Sequence, residues 1–202
     1  MTADGDVVGA WADKSGNGND ALQATTANKP LYKAAIKNGL SIIRFDGAND
    51  WLVTAAFASA LSQPNTIVVA AMINTATPVT TKIYVDGIAG ASRHVVYASN
   101  PEFEFAIYAG AVLVSGDALN TNYNILTAIF SGVSSELFLN GTSIVSGDAG
   151  AHTLTGLTVA ASATLATPLP GDELEILVYD SALSTSNRQA VEAYINSKWS
   201  LY

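Results

Sequence analysis

The sequence predicts an all-β fold: two antiparallel sheets packed as a sandwich, with one short helix at the C-terminus. Three observations predict it. Short runs rich in β-branched and aromatic residues recur along the chain with Gly, Asn and Ser between them. An Asn140-Gly141 step lies between two such runs, and only the residues after Ser184 change to a helical period.

The strand-like runs are 6–11, 41–45, 51–54, 66–73, 82–85, 94–97, 102–108, 112–114, 123–130, 136–139, 143–145, 157–161 and 174–179. In 41–46, Ile43 and Phe45 face one way and Arg44 and Asp46 the other, the two-residue period of a half-buried strand. Asp46-Gly47 then turns the chain, leaving an outward ion pair and Trp51 to fill core. Asn140-Gly141 separates Leu137-Phe-Leu139 from Ile144-Val145, and both residues tolerate the positive φ of a two-residue type I′ hairpin. Asn140-Gly-Thr142 is also a glycosylation sequon, which the hairpin explains without a glycan. The apolar positions of the alternation predict a core of Trp11, Phe45, Ile67, Val69, Phe130, Leu137, Leu139, Ile176 and Val178. After 184, Val191, Tyr194, Ile195 and Trp199 recur at helical spacing and Ser184 is a good N-cap, so the helix should lay one apolar stripe on the sandwich.

The 202 residues fit a single domain spanning 1–202, since a sandwich of this size forms one core. Hydrophobic residues make up 49% and charged residues 13%, so Ser, Thr, Asn, Ala and Gly cover the surface. A net charge of −8 with nine scattered Lys and Arg argues against nucleic acid and anionic membrane, both of which need clustered cations. With no cysteine there is neither a disulfide nor a thiolate metal site. Met1-Thr-Ala-Asp-Gly5 has no signal-peptide character, and no apolar run reaches the ~18 residues of a membrane helix.

Three segments carry a family resemblance: Trp11-Ala-Asp-Lys-Ser-Gly-Asn-Gly-Asn-Asp20, Arg44-Phe-Asp-Gly-Ala-Asn-Asp-Trp-Leu52, and Leu174-Glu-Ile-Leu-Val-Tyr-Asp-Ser-Ala-Leu-Ser184 before the helix. In this order they resemble the concanavalin A-like, laminin-G-like jelly-roll family over essentially the whole chain. The resemblance implies a jelly-roll sandwich and a non-catalytic recognition module, binding a glycan at loops on one edge or on the concave sheet. Such domains occur in phage tail, fibre and capsid-decorating proteins and in bacterial surface proteins. The expected setting is therefore a virion or the cell exterior, with glycan or neighbouring virion or surface proteins as partners and several copies in one assembly. The rivals are a purely structural decoration or assembly role, and a glycoside hydrolase of the same fold.

Two segments are candidate sites. In 13–20, Asp13, Asn17, Asn19 and Asp20 can approach one hard cation such as Ca²⁺, which takes six to eight oxygens. The same residue types also build tight loops by side-chain to backbone bonding. Asp172 and Glu173 lie upstream of Leu174, which occupies the place where calcium-binding relatives carry Asp, a departure that weakens the metal reading. In the second segment, Trp51 offers a flat apolar face to a sugar while Asn49 and Asp50 accept its hydroxyls.

Catalysis by paired carboxylates has two candidates. Glu102 and Glu104 sit two apart on a predicted strand, hence on one face and ~6.5–7 Å apart by strand rise; Glu173 and Glu175 repeat the spacing. Jelly-roll glycosidases carry E-x-D-x-x-E or E-x-D-x-E on one strand, and neither segment supplies the central Asp. Residues 172–175 also read as the start of an edge strand, where solvent keeps carboxyl pKa values ordinary. Two isolated histidines, His94 and His152, make no zinc site; no G-x-S-x-G elbow and no phosphate-binding glycine loop occurs. The sequence therefore assigns no catalytic residue.

Overall fold

The computed structural model describes residues 3–202. The larger sheet has eight strands in the order β1 (Ala10–Trp11), β2 (Ala21–Leu22), β5 (Leu52–Thr54), β14 (Thr158–Val159), β7 (Lys82–Asp86), β8 (Val95–Ala98), β9 (Glu104–Tyr108) and β10 (Val112–Ala118). The smaller sheet has seven, in the order β13 (Thr142–Gly147), β12 (Ser135–Leu139), β11 (Asn124–Phe130), β6 (Asn65–Ile73), β15 (Pro170–Tyr179), β4 (Leu40–Asp46) and β3 (Leu31–Lys37). Neighbours are antiparallel throughout, and helix α1 (Thr185–Trp199) forms a third layer on the smaller sheet. This is the expected two-sheet jelly roll.

The core lies between the sheets and follows the pleat. Phe45, Ile67, Val69, Phe130 and Leu137 are buried there, with Trp11, Leu139, Ile176 and Val178 packed against them at partial exposure. On β6 the odd positions face this core while Val68 and Ala70 face the helix, so the strand is apolar on both sides. The hairpin forms as read: Asn140 and Gly141 have φ of 51° and 83°, and Leu139 pairs with Thr142. Asn140 also ties the hairpin to β11, its Oδ1 accepting from the Ile125 N–H at 2.8 Å.

Several expectations need correction. The first run yields only β1 and an isolated bridge from Val7 to Leu31, whereas β2 and β3 were not foreseen. Trp51 is half-buried and stands outside the core clusters. Arg44 pairs not with Asp46 but with Asp172 across the β4–β15 pair (Nε–Oδ1 2.7 Å, Nη2–Oδ2 2.8 Å), while Asp46 Oδ1 accepts the N–H groups of Ala48 and Asn49 to close the turn.

The helix is capped as expected: Ser184 Oγ accepts the Asn187 N–H at 3.3 Å. Ile195 and Trp199 seat on Ile42, Val68 and Ile125, with Val191 beside them. Tyr194 departs from the stripe; it is 51% exposed, its hydroxyl directed to Glu175 at 3.2 Å. Its place against the sheet is taken by Arg188 and Glu192, both buried and paired at 2.5 Å. Arg188 lies 3.8 Å over the Phe138 ring, and Thr127 Oγ1 donates to Glu192 at 2.8 Å. The guanidinium and carboxylate replace each other's water, so the pair tolerates burial that neither residue tolerates alone.

Two buried titratable groups pull stability in opposite directions. His94 is stacked on Phe130 (centroids 4.3 Å apart) with Nε2 2.7 Å from the His152 carbonyl oxygen, and burial holds its pKa down to about 4. Glu173 is fully buried, and burial raises its pKa well above the ordinary 4.5, with the Asp172 charge adding to the shift.

Arg188→Met should cost about 3–5 kcal/mol by stranding the Glu192 charge. Arg188→Met with Glu192→Gln should recover much of it, as denaturant midpoints will show. In the folded protein His94 stays neutral, so stability falls as pH drops from about 6.5 towards 4. Glu173 stays protonated, so stability falls as pH rises above about 4.5. Relative to wild type, Glu173→Gln should gain melting temperature progressively above pH 4.5 and His94→Gln progressively below 6.5. A difference independent of pH in either variant would refute its assignment.

Candidate recognition groove on the larger sheet

The outer face of the larger sheet carries an apolar cluster of its own. On β8, Val96 and Ala98 point into the core, so Val95 and Tyr97 point outward. Register places Ile83 beside Tyr97 on one flank, and Ala106 beside Tyr97 and Tyr108 beside Val95 on the other. On the edge strand β10, Val112 pairs with Tyr108 and Val114 with Ala106. The result is a shallow groove of about 180 Å³ lined by Thr81, Ile83, Arg93, Val95, Tyr97 and Tyr108.

Arg93 sets the polar side of this groove. Its guanidinium is gripped by Asp86, the last residue of β7, through Nε–Oδ1 at 2.8 Å and a second bond from Nη2 to Oδ2. Asp86 is fully buried; burial raises its pKa, and the Arg93 hydrogen bond opposes that rise. The Gly87 and Ala163 N–H groups also donate to it, at 2.6 and 2.9 Å. A carboxylate so held fixes the guanidinium plane, which lies 5.6 Å from the Tyr108 ring. Nη1 of Arg93 has no hydrogen-bond partner among the described residues. His152 braces the far side of Tyr108 edge-on at 5.7 Å. Burial and then the nearby Glu102 charge push the Tyr97 hydroxyl up to about 12, so it stays a neutral donor. The groove thus offers aromatic surface beside a fixed cation.

The segments singled out in the sequence lie elsewhere. Asp13 is the hub of its loop: Oδ1 accepts the Ser15 N–H, and Oδ2 accepts Ser15 Oγ and the Asn19 N–H. Those bonds lower its pKa. Asp20 Oδ1 accepts the Asp13 N–H at 2.8 Å, while Asn17 is exposed with its backbone N–H on Ser15 Oγ. No group of three or more His, Asp or Glu able to hold a metal converges among the described residues. Asn49 Nδ2 donates to the Ala27 carbonyl and to Asn28 Oδ1, and Asp50 Oδ2 accepts the Asp46 N–H, so much of their polar capacity is spent on the turn.

The carboxylate pairs also differ from expectation. Phe103 has φ of 57° and β9 begins only at Glu104, so Glu102 sits in the preceding turn and the two do not alternate along one strand. Glu104 Oε2 accepts the Gly116 N–H. Strand β15 is central, not an edge, and a bulge at Leu174 sends Glu173 to the inside and Glu175 to the helix side. There Glu175 Oε2 accepts from Lys198 at 2.9 Å and from Trp199 Nε1 at 2.8 Å. Arg93, Tyr97 and Tyr108 were missed as a site because strand register alone brings them together. The one available signal was the run Val95-Val-Tyr-Ala98, apolar at every position, which marks a strand covered on both faces.

No family model matches the chain, and no curated protein matches it. Solved structures do. The chain is similar to Trypanosoma rangeli sialidase in complex with the inhibitor DANA, at 14% identity and a TM-score of 0.65, over 95% of this chain and 31% of that one. It is also similar to a Bacteroides ovatus protein described as a "putative carbohydrate binding protein" (11% identity, TM-score 0.52, 67% of this chain and 42% of that one). A third is the SAP-like pentraxin of Limulus polyphemus (12% identity, TM-score 0.50, 68% and 74%). The chain spans about a third of the sialidase it matches, and at these identities the likeness is one of fold, a two-sheet β-sandwich.

Proposed function

We propose that this domain is a non-catalytic recognition module that binds a glycan in the groove on the outer face of the larger sheet. The observation that carries the reading is the Tyr108 ring set beside a guanidinium held rigid by buried Asp86. Sugars present C–H faces and hydroxyl edges together, and a site for them needs aromatic area plus a few oriented polar groups. Partly exposed Tyr108 supplies the area and Arg93 Nη1 a donor, with the Tyr97 hydroxyl at the groove wall. The shallow volume suits one sugar ring, so useful avidity comes from several copies on a virion or cell surface. The B. ovatus protein, described as above, shares the fold and lends the reading support.

Recognition without hydrolysis is part of the proposal. A glycosidase needs an acid with a raised pKa and a second carboxylate across the scissile bond. Glu102 and Glu104 do not share a strand face, and the bulge in β15 turns Glu173 and Glu175 to opposite faces of the strand. No reducing sugar should be released from polysaccharides on which the domain binds.

A glycan array with the purified domain, run with and without calcium, should show binding that Tyr108→Ala weakens at least tenfold, about 1.4 kcal/mol, and that Trp51→Ala leaves unchanged. Binding that vanishes in Asp13→Ala and needs calcium would move the site to the Asn-rich loop. Loss only in Trp51→Ala would move it to the 49–51 turn, and no binding to any glycan would favour the assembly role.

A further inference from the structure

A second cavity lies at the opposite end of the sandwich and has a different chemistry. Residues 7–11 cross over the β3–β4 end of the smaller sheet and leave about 410 Å³ beneath them. Val8, Trp11, Tyr32, Ser41 and Ile43 contribute to its walls, and Glu173 lines it from β15. Glu173 is completely buried, and neither carboxyl oxygen has a hydrogen-bond partner among the described residues. Its inward direction follows from register, since it pairs with Ile43 and Ala71, both core residues.

An orphaned buried carboxyl is costly. Each unmade bond forfeits about 1–3 kcal/mol, and an isolated buried charge costs far more. The other buried acids all have partners: Asp86 has Arg93, Asp172 has Arg44 and Tyr123, Glu192 has Arg188, and Asp50 accepts the Asp46 N–H. No Lys or Arg pairs with Glu173. Lys29, whose Nζ would stand 3.2 Å from a Cβ placed on Gly9, makes no ion pair with it. Glu173 is therefore the one buried acid that has neither an ion pair nor a hydrogen-bond partner among the described residues, and it has a chamber beside it. The chamber walls include the Trp11 indole, the best aromatic partner for a cation, and a Tyr32–Ser41 hydroxyl pair bonded at 2.6 Å.

We infer that this cavity is a binding site for a small organic ammonium ion, with the Glu173 carboxylate as its counter-ion and Trp11 as its aromatic wall. The ligand cation displaces the carboxyl proton on entry, so binding releases one proton to solvent and strengthens as pH rises towards the amine's own pKa. The titratable groups around Glu173 do not supply the charge themselves: Asp172 faces the other side of β15, and burial raises the pKa of Tyr84 and keeps it a neutral phenol. The site is independent of the Tyr108 groove.

The test uses cyclohexylammonium chloride, with cyclohexanol as the uncharged control of the same shape, read by melting temperature and by amide shifts in ¹H–¹⁵N spectra at pH 6 and 8. Cyclohexylammonium should raise the melting temperature, more at pH 8, and shift the amides of residues 7–11 and 173. Cyclohexanol should do much less. Glu173→Gln keeps shape and hydrogen-bonding capacity without charge, and should weaken the amine response at least tenfold, whereas Tyr108→Ala should leave it intact. An equal response to cyclohexanol, an unaltered response in a folded Glu173→Gln, or no response at all would overturn the assignment and leave the chamber to water.

Discussion

Strand β15 is the constraint on which the rest of the molecule depends. It lies between β6 and β4 in the interior of the smaller sheet, with the sandwich core on one face and the helix on the other. A strand covered on both faces has to satisfy every polar side chain it carries from within the protein. Its three acids are consequently placed one by one. Asp172 takes Arg44 and the Tyr123 hydroxyl, at 2.5 Å for the latter; Glu175 takes Lys198 and Trp199 of the helix; Glu173 alone is turned to the inside. The bulge at Leu174 makes this distribution geometrically available, because without it Glu173 and Glu175 would point the same way.

The two faces of the molecule divide the work. The smaller sheet is closed on its outer side by the helix, through Ile195, Trp199 and the Arg188–Glu192 pair. The larger sheet carries no helix; on its outer face Ile83, Val95, Tyr97 and Ala106 form a small buried cluster with Tyr108 and Val114 packed partly exposed against it. Because Asp86 is buried and anchors Arg93, the polar component of that face is rigid before any ligand arrives, which lowers the ordering cost of binding.

Legibility in the sequence followed the range of the interaction concerned. Alternation in 43–46, the Asn140-Gly141 hairpin and the Ser184 cap are local and were readable, since each depends on residues a few positions apart. Strand β3 was not readable: Ala34 and Ala35 carry little strand preference, and Ala35 takes a left-handed φ of 52° where the ladder shifts against β4. In the helix, a periodic stripe assigned the contact to Tyr194. The buried positions proved to include Arg188 and Glu192, because two opposite charges meeting over Phe138 seal the interface as well as a ring does.

What the sequence by itself determined is the all-β class, the sandwich with its terminal helix, and most of the residues between the sheets, because period-two alternation is a property of neighbouring positions. What only the tertiary structure decided is the order of strands within each sheet. That order makes β15 central rather than an edge, and it buries a glutamate that local reading placed in solvent. It also brings Arg93, Tyr97 and Tyr108 onto one face. Strand order arises from pairings between segments far apart in the chain, such as β15 with β4 and β6, whose registers no local pattern encodes.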